Sequence, residues 1–302
     1  SSSNDGNIII GNLKDGDYTL SISIEGFAPN KTLFKVPSTV SLIEIKLQSE
    51  EEEAEEMEEI IVTSTRGTRT ISNIPTRVEF IAGEELEEKA NMKPGDIRMM
   101  LNESTGIQTQ QTSATSGNSS IRIQGLDGRY TQILKDGFPL YSGASSGLGL
   151  LQTPPLDLKQ VEIIKGSAST LYGGGAIAGL VNLVSKTPTE ERELRFLING
   201  TSALGLDING FYSQQFDKIG LTVFASHDRN APYDPAHIQL TAIPKFERFN
   251  FNPKLFVNFN ENTKLNFGIN TVFENRLGGN IEYIKDQSKY PDSYFEKNKT
   301  QR

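Results

Sequence analysis

Two stretches decide the fold of this chain: SIRIQGLDGRYTQILKDGFPLY (residues 120–141) and PPLDLKQVEIIKGSASTLYGGGAIAGLVNLVSKTP (residues 154–188). In both, short strand-like pieces of aliphatic residues alternate with turns rich in glycine. Glycine takes positive φ at no steric cost, so strands joined through it can turn sharply. The pattern predicts a small, tightly turned module of short strands.

The preceding segment, residues 78–107, predicts one strand and two short helices. Residues 78–81 are strand-like, and helix formers from Gly83 to Leu101 place apolar side chains on one side. Pro94 divides this helical stretch, because proline lacks the N–H that a helix interior needs. Residues 108–120 are small and polar and are predicted to form a loop. The module is therefore expected to be α/β.

From residue 194 the pattern changes to strands of alternating polarity. Leu206 and Ile208 alternate with Asp207 and Asn209, and residues 265–273 are predicted as another alternating strand. Phe224 interrupts the alternation of its own strand. A strand of ~9–11 residues crosses a bilayer in a barrel, and at most six such strands fit before the end of the sequence. This part predicts the first strands of a transmembrane antiparallel β-barrel.

The formal net charge of −8 comes from one segment, because eight glutamates lie between Glu50 and Glu59. The remainder is balanced, which argues against a nucleic-acid-binding protein. So charged a stretch cannot pack, and it predicts a solvated linker. Before it, residues 18–24 alternate as a strand does, between turns rich in glycine.

The residue content predicts no enzyme, cofactor or metal site. Cysteine is absent, and His227 and His237 are too isolated for a metal pair or a catalytic triad. The string from Gly173 to Ala178 fits a loose dinucleotide-binding pattern. We reject that interpretation, because residues 180–184 alternate like a strand and offer no helix N-terminus to a pyrophosphate.

Residues 120–141 and 154–188 resemble the plug domain of TonB-dependent outer-membrane receptors, and the resemblance spans at least residues 58–190. Two positions depart from the family pattern: Gln124 stands where an arginine is usual, and Ser167 where a proline is common. The positions that match the plug motif are Arg122, Gly125, Asp136, Gly137, Glu162, Lys165, Gly166, Tyr172, Gly173, Gly175, Gly179 and Asn182.

The resemblance also implies a contact between the plug and the barrel wall. Arg122 lies on the same strand face as Gln124 and is a candidate cation for acidic residues of the wall. Alternatively, Arg122, Glu162 and Lys165 are only solvated charges inside the lumen.

A short β-prone string just before the plug looks like a TonB box, the extended peptide that pairs with an energy-transducing partner. Strand addition needs β-prone side chains and free backbone groups rather than a catalytic group. The predicted TonB box residues are Glu59, Ile60, Ile61, Val62, Thr63 and Ser64.

The resemblance implies a mainly β chain with five parts. We expect the C-terminal part of a carboxypeptidase-regulatory-like β-sandwich at residues 1–48, an acidic linker at 49–57 and the TonB box at 58–66. The α/β plug, with a mixed sheet, is expected at 67–190 and the incomplete, N-terminal part of the barrel at 191–302. By this account the chain begins inside one domain and ends inside another.

The implied function is TonB-dependent import of a scarce solute across the outer membrane of a Gram-negative bacterium, and the favoured solute is an iron chelate (siderophore) or haem. Cobalamin or glycan uptake, a β-rich surface adhesion protein without transport, and a signalling receptor are the alternatives. The implied partners are TonB, a small-molecule ligand and outer-membrane lipid, with no nucleic acid. Candidate ligand contacts at the plug apex are Gln110, Gln111, Tyr141 and Ser142.

Overall fold

The computed structural model describes residues 13–24, 27–37, 61–62, 69–70, 77–140, 148–166, 175–260 and 263–302. The chain divides into two compact units, Ser1–Ile60 and Ile61–Arg302. No helix among these residues is long and apolar enough to span a bilayer.

The first unit contains an antiparallel hairpin of β1 (Gly16–Ile24) and β2 (Phe27–Val36). The strand predicted over residues 18–24 is confirmed. The assignment of residues 1–48 to a carboxypeptidase-regulatory-like sandwich stays a prediction. The acidic linker lies outside the described residues.

The second unit begins with the short antiparallel pair β3 (Ile61–Val62) and β4 (Arg69–Thr70). Strand β5 (Arg77–Ala82) then leads into helices α1 (Gly83–Met92) and α2 (Arg98–Asn102), which lie on either side of Pro94 as predicted. Asp96 Oδ1 accepts a hydrogen bond of 3.0 Å from the backbone N–H of Arg98, so its side chain fixes the start of α2.

The loop predicted over residues 108–120 is wrong in its outer parts. Residues 107–111 form β6 (Ile107–Gln111), which pairs antiparallel with β7 (Ser119–Ile123), and only the residues between these strands form a turn. Strand pairing uses backbone groups and therefore tolerates polar side chains. The buried side chains of Ile107 and Ile121 pack the hairpin against the core. Small polar residues alone did not indicate this hairpin.

The centre of the plug is a five-stranded mixed sheet in the order β5-β10-β11-β8-β9. Its further strands are β8 (Thr131–Lys135), β9 (Phe138–Pro139), β10 (Leu158–Lys165) and β11 (Gly179–Ser185), with short 3-10 helices at Gly128–Tyr130 and Leu150–Gln152. Only β8 and β11 run parallel to each other. The core lies between this sheet, the helices and the β6–β7 hairpin, and includes Ile81, Leu101, Ile121 and Ile163.

Gly179 shows why the plug needs glycine at the start of β11. Its φ is +155°, and a Cβ there would lie 2.4 Å from the carbonyl oxygen of Ile164. The string from Gly173 therefore leads into a strand, as expected, and not into a helix N-terminus.

Residues 193–301 form one antiparallel sheet, the wall, in the order β12-β13-β14-β15-β17-β18, with β16 also paired to β15. Its members are β12 (Glu193–Gly200), β13 (Gly205–Phe216), β14 (Ile219–Asn230), β15 (Lys245–Asn260), β16 (Thr263–Gly268), β17 (Thr271–Gly279) and β18 (Phe295–Gln301). Helix α3 (Ile281–Lys285) lies in the connection before β18.

The two faces of the wall have opposite polarity. The inner face, which packs on the plug, buries polar side chains such as Asn209, Ser226 and Asn250. The outer face exposes large apolar side chains, including Phe196 at 75% and Phe267 at 62%. Such a sheet is apolar on the outside and polar on the inside, which is the arrangement of a barrel wall in lipid. The predicted alternation is confirmed, and Phe224 points inward and is buried.

The strand predicted over residues 265–273 is interrupted. β16 ends at Gly268 and β17 begins at Thr271, and the gap between them lies opposite Pro253 of β15. Proline has no N–H to donate to a neighbouring strand, so the regular ladder cannot continue past it. The backbone N–H of Ile269 donates to the Pro253 carbonyl at 3.1 Å and holds the two segments in line.

Candidate functional site

A row of polar and charged side chains crosses the inner face of the wall. The strand register places Asp207 beside Asp228, Asp228 beside Arg248, Arg248 beside Glu274, and Glu274 beside Thr300. At these positions β13, β14, β15, β17 and β18 are in continuous register. Alternation turns all five side chains toward the plug.

Two arginines of the wall hold this row together. Arg248 lies 3.0 Å from Asp228 and 3.5 Å from Glu274, measured between guanidinium nitrogen and carboxylate oxygen. Arg276 Nε lies 2.9 Å from Glu274 Oε1. All four side chains are buried. Buried charges are tolerated when they are paired and hydrogen-bonded, as these are.

The same arginines donate hydrogen bonds to backbone carbonyls of the plug. Arg248 Nη2 donates to the Gly95 carbonyl at 2.7 Å, and Arg248 Nη1 donates to the Leu151 carbonyl. Arg276 Nη1 donates to the Ser116 carbonyl at 3.1 Å. The wall therefore contacts three separate plug segments: the α1–α2 turn, the 3-10 helix Leu150–Gln152 and the β6–β7 turn.

A plug side chain completes the row. Gln152 Nε2 donates to Glu274 Oε1 at 3.2 Å and to Thr300 Oγ1 at 3.0 Å, and Gln152 is itself buried. We call the set Asp228, Arg248, Glu274, Arg276 and Gln152 the seat. It is a buried polar interface that joins the plug to the wall.

The tip of the β6–β7 hairpin is attached near the loop end of the wall. Ser113 Oγ donates to Glu296 Oε2 at 2.7 Å, and Thr241 Oγ1 donates to the Thr115 carbonyl at 3.0 Å. Gly278 makes this approach possible, since a Cβ there would lie 2.2 Å from the Thr115 carbonyl oxygen.

Two further ion pairs join the plug to the wall outside the seat. Asp136 of the β8–β9 turn pairs with Lys254, and Glu87 of α1 pairs with Arg195 at 2.5 Å. The hydrogen bond from Arg195 lowers the pKa of the Glu87 carboxyl below its usual value. Both pairs are partly exposed, so they are weaker anchors than the seat.

The structure changes the interpretation of the predicted charges. Glu162 is fully buried and accepts hydrogen bonds from Gln160 at 2.9 Å and Asn182 at 3.0 Å. Lys165 is also buried and donates to Glu79 and to the Thr105 carbonyl. The interpretation of Glu162 and Lys165 as solvated lumen charges is wrong, because both are paired inside the plug.

Arg122 forms no ion pair with any described residue of the wall, so its expected contact with wall acids stays a prediction. Its side chain is half-buried, and its Nε has no hydrogen-bond partner among the described residues. The cations of this interface come from the wall instead. The neighbouring turn is formed by Gln124 and Gly125, with φ of +52° and +81°.

The remaining described positions of the plug motif make contacts or turns within the plug itself. The Asp136 carboxylate accepts from the Ser185 backbone N–H at 2.7 Å, and the Gly137 N–H donates to Asn182 Oδ1 at 3.0 Å, so β8 and β11 are joined at this end. Gly166 has positive φ after β10, and Gly175 precedes β11. Tyr172, Gly173 and Ser167 lie outside the described residues.

Only some of the candidate ligand contacts and TonB box residues lie in the described part of the chain. Gln111 is exposed on β6 and donates to the Ser113 carbonyl at 2.8 Å, with Gln110 beside it. Tyr141 and Ser142 lie outside the described residues. Of the predicted TonB box, Ile61 and Val62 form β3, and Glu59, Ile60, Thr63 and Ser64 lie outside the described part.

The two histidines are separate. His227 stacks on Phe249 with ring centroids 4.3 Å apart and lies 3.1 Å from Glu247, whereas His237 is exposed in the β14–β15 loop. Within the described ranges no group of three or more His, Cys, Asp or Glu is placed to hold a metal ion.

The sequence analysis missed the seat. A sequence signal for the seat was present. Charged residues occur inside strands that are otherwise apolar or rich in amide side chains, as in FERFN (residues 246–250) and FENRL (residues 273–277).

A family model described as the TonB-dependent receptor plug domain matches residues 70–180. The vitamin B12 transporter BtuB of Vibrio cholerae is 26% identical over 141 residues, 46% of this chain and 22% of the relative. The iron-regulated outer membrane virulence protein of Vibrio cholerae is 31% identical over 143 residues, 44% and 21% respectively. The match thus spans less than a quarter of either relative's length.

Solved structures share the fold. The siderophore receptor PirA from Acinetobacter baumannii superposes with a TM-score of 0.53 at 20% identity, over 68% of this chain and 32% of that one. FpvAI in its complex with pyocin S2 gives a TM-score of 0.58 at 16% identity, over 72% and 28%. These likenesses confirm the predicted fold class, a plug with a mixed sheet followed by part of a barrel.

Proposed function

Because this chain belongs to the TonB-dependent receptors of the Gram-negative outer membrane, we propose that the complete protein imports a scarce solute across that membrane. The observation that carries this proposal is the seat, which fixes the plug on the inner face of the wall through Arg248, Arg276 and Gln152. A plug held by buried charges does not leave its place spontaneously. Displacing the plug to open a path for the solute then requires work supplied from outside the molecule.

We place the site where that work enters at Glu59, Ile60, Ile61, Val62, Thr63 and Ser64. The segment lies directly before the plug, and Ile61–Val62 is already extended and paired with Arg69–Thr70. An extended segment of this kind can exchange its present partner for the edge of a sheet in a TonB-type protein. The acidic stretch before it favours a partner with a basic surface.

The proposed solute is an iron chelate of the siderophore class or haem. Two similarities support it: the relative that is 31% identical is named as iron-regulated, and PirA is named as a siderophore receptor. Cobalamin is the second candidate, because BtuB is named as a vitamin B12 transporter. We propose that Gln110, Gln111, Tyr141 and Ser142 contact the ligand at the plug apex, while the loops of the wall contribute specificity.

Ile61→Pro tests the mechanism in the full-length receptor. Proline removes the backbone N–H and cannot take part in strand addition at this position, so we expect uptake to be lost and ligand binding to stay at the wild-type level. Radiolabelled uptake by whole cells and equilibrium binding to purified receptor measure the two quantities. Glu53→Pro, in the acidic segment, is the matched control and should transport normally. Undiminished uptake by Ile61→Pro would refute the proposal.

A binding screen identifies the solute class. Purified receptor is titrated with a ferric catecholate, a ferric hydroxamate, haem, cobalamin and a glycan. Cell growth is then tested with each compound as the only source of the iron, cobalamin or sugar that it supplies. Tight binding of one class with growth on it assigns the substrate. Binding without growth or uptake would favour the surface adhesion protein instead.

A further inference from the structure

The inner face of the wall buries polar atoms that have no hydrogen-bond partner. Asn209 of β13 is 1% exposed, and neither its Nδ2 nor its Oδ1 has a partner among the described residues. Asp228 of β14 is fully buried, and within the same ranges its Oδ1 has none. Burying such atoms without a partner is costly, and a bound ion or water removes the cost. These three atoms therefore point to a ligand at this part of the wall.

Strand register brings these atoms to one place. Asp207 lies directly opposite Asp228, and Asn209 lies directly opposite Ser226; we call these four residues the polar block. Alternation turns all four side chains toward the plug. Directly opposite Cβ atoms lie about 4.5–5.5 Å apart, and diagonal ones, as for Asn209 and Asp228, lie about 7–8 Å apart. A small ion between the two side chains can contact both, although they form no hydrogen bond with each other.

The polar block and its neighbours carry one more negative charge than positive charge. Three carboxylates share two guanidinium groups: Asp207, Asp228 and Glu274, with Arg248 and Arg276. Asp207 accepts a hydrogen bond of 2.9 Å from Asn199, but it forms no ion pair with any residue that the structure describes. Like charges directly opposite each other on neighbouring strands are destabilising. A cation beside Asp207 and Asp228 would balance the charge.

The plug covers the polar block with backbone and adds no net charge. A Cβ at Gly95 would lie 3.0 Å from Asp207 Oδ1, so the α1–α2 turn comes this close only because the residue is glycine. Asp96, the next residue, pairs with Lys93 at 3.9 Å. The plug turn therefore closes over the block without supplying the cation that the carboxylates lack.

From this arrangement we infer that the seated plug encloses a Na⁺ ion bound by Asp207, by Asp228 Oδ1 and by Asn209 Oδ1. Hard cations take oxygen ligands such as carboxylates, amide carbonyls and water, and a water on the ion accepts from Asn209 Nδ2. A single positive charge matches the single unbalanced negative charge. The described residues include no group of three or more His, Cys, Asp or Glu placed for a metal ion, which favours a singly charged cation over a divalent one.

The ion couples the position of the plug to the cation outside. Because the α1–α2 turn covers the polar block, displacing the plug exposes the ion to water and releases it. A ligand that binds only the closed form makes opening rarer by the factor 1 + [Na⁺]/Kd. Sodium therefore stabilises the seated plug, whichever solute the receptor transports.

Hydrogen–deuterium exchange of residues 93–97 in the full-length receptor tests this inference. Exchange is compared in NaCl, KCl and N-methylglucamine chloride at equal ionic strength, and binding of radiolabelled Na⁺ to the purified receptor gives the Kd. We expect slower exchange in NaCl than in the other two salts. At a Na⁺ concentration about tenfold above the Kd, opening should be about 11-fold rarer.

Two variants remove ligands of the ion. Asp207→Asn removes the charge but keeps an oxygen for Asn199, and Asn209→Ala removes the amide. Each should bind Na⁺ more weakly and lose the difference in exchange between the salts. Asp217→Asn, the same change at an exposed position of the β13–β14 turn, is the matched control and should behave as wild type does.

Three results would overturn the inference. The first is equal exchange in NaCl and KCl, or in all three salts, because no Na⁺ site would then protect the turn. The second is a wild-type response to Na⁺ in both Asp207→Asn and Asn209→Ala. The third is an equal loss in Asp217→Asn. Ile61→Pro should keep the response to Na⁺, so a failure of transport and a failure of Na⁺ binding are separately visible.

Discussion

At the scale of single residues, the junction between plug and wall depends on Arg248. Its guanidinium neutralises Asp228 and Glu274 and still donates to two carbonyls of the plug. A lysine has no planar fork and could not reach all four acceptors in this geometry. The side chain therefore couples charge balance in the wall to the position of the plug.

Arg248→Gln should loosen the plug. The substitution leaves two carboxylates with less compensation in a buried place, and breaking such a pair costs about 3–5 kcal/mol. We expect faster amide exchange in residues 93–97 and 150–152, measured by hydrogen–deuterium exchange on the full-length receptor. Arg229→Gln, one residue from Asp228 but on the outer face, is the control and should leave exchange unchanged. Similar exchange in both variants would contradict the role of the seat.

The sequence contained part of this information. Alternation around Phe249 and Phe273 is sufficient to place Arg248 and Glu274 on the inner face. It could not show that β14, β15 and β17 align in register, nor that the carbonyls of Gly95 and Leu151 lie opposite. Those contacts depend on long-range docking between segments far apart in the chain, which local patterns do not encode.

At the scale of elements, the β6–β7 hairpin is fixed to the wall by its turn. The backbone N–H of Thr112 donates to the Asn118 carbonyl at 2.7 Å within the turn, while Thr115 lies against Gly278 of β17. The hairpin was missed because QTQQ has no apolar alternation. The strands β10 and β11 were predicted correctly because both faces are buried and the residues are accordingly aliphatic.

Gly278→Ala should displace this turn. Its Cβ would collide with the Thr115 carbonyl, and forcing additional atoms into a packed contact costs about 1–3 kcal/mol. We expect increased protease cleavage and amide exchange confined to residues 112–118. Gly200→Ala is the matched control, since a Cβ at Gly200 meets nothing within 4 Å. An undisturbed turn in Gly278→Ala would show that the close approach does not exist in solution.

At the scale of the whole unit Ile61–Arg302, the plug and the wall form one object whose parts are joined by polar contacts. A purely apolar interface would hold the plug without geometric selectivity. Hydrogen bonds and paired charges instead specify one position and leave an interface that water can satisfy once the plug moves. This arrangement suits a plug that has to be displaced and then reseated in each cycle of transport.

A reversible disulfide between plug and wall tests the central claim most directly. The 302 residues contain no cysteine, and a Cβ at Gly95 would lie 3.5 Å from Asp207 Cγ, so Gly95→Cys/Asp207→Cys brings two thiols within bonding range. The measurement is whole-cell uptake of the identified ligand before and after reduction, with each single cysteine variant as a control. We predict that the oxidised receptor binds ligand without importing it and that reduction restores import. Import by the fully cross-linked receptor at the rate measured after reduction of the disulfide would contradict the account.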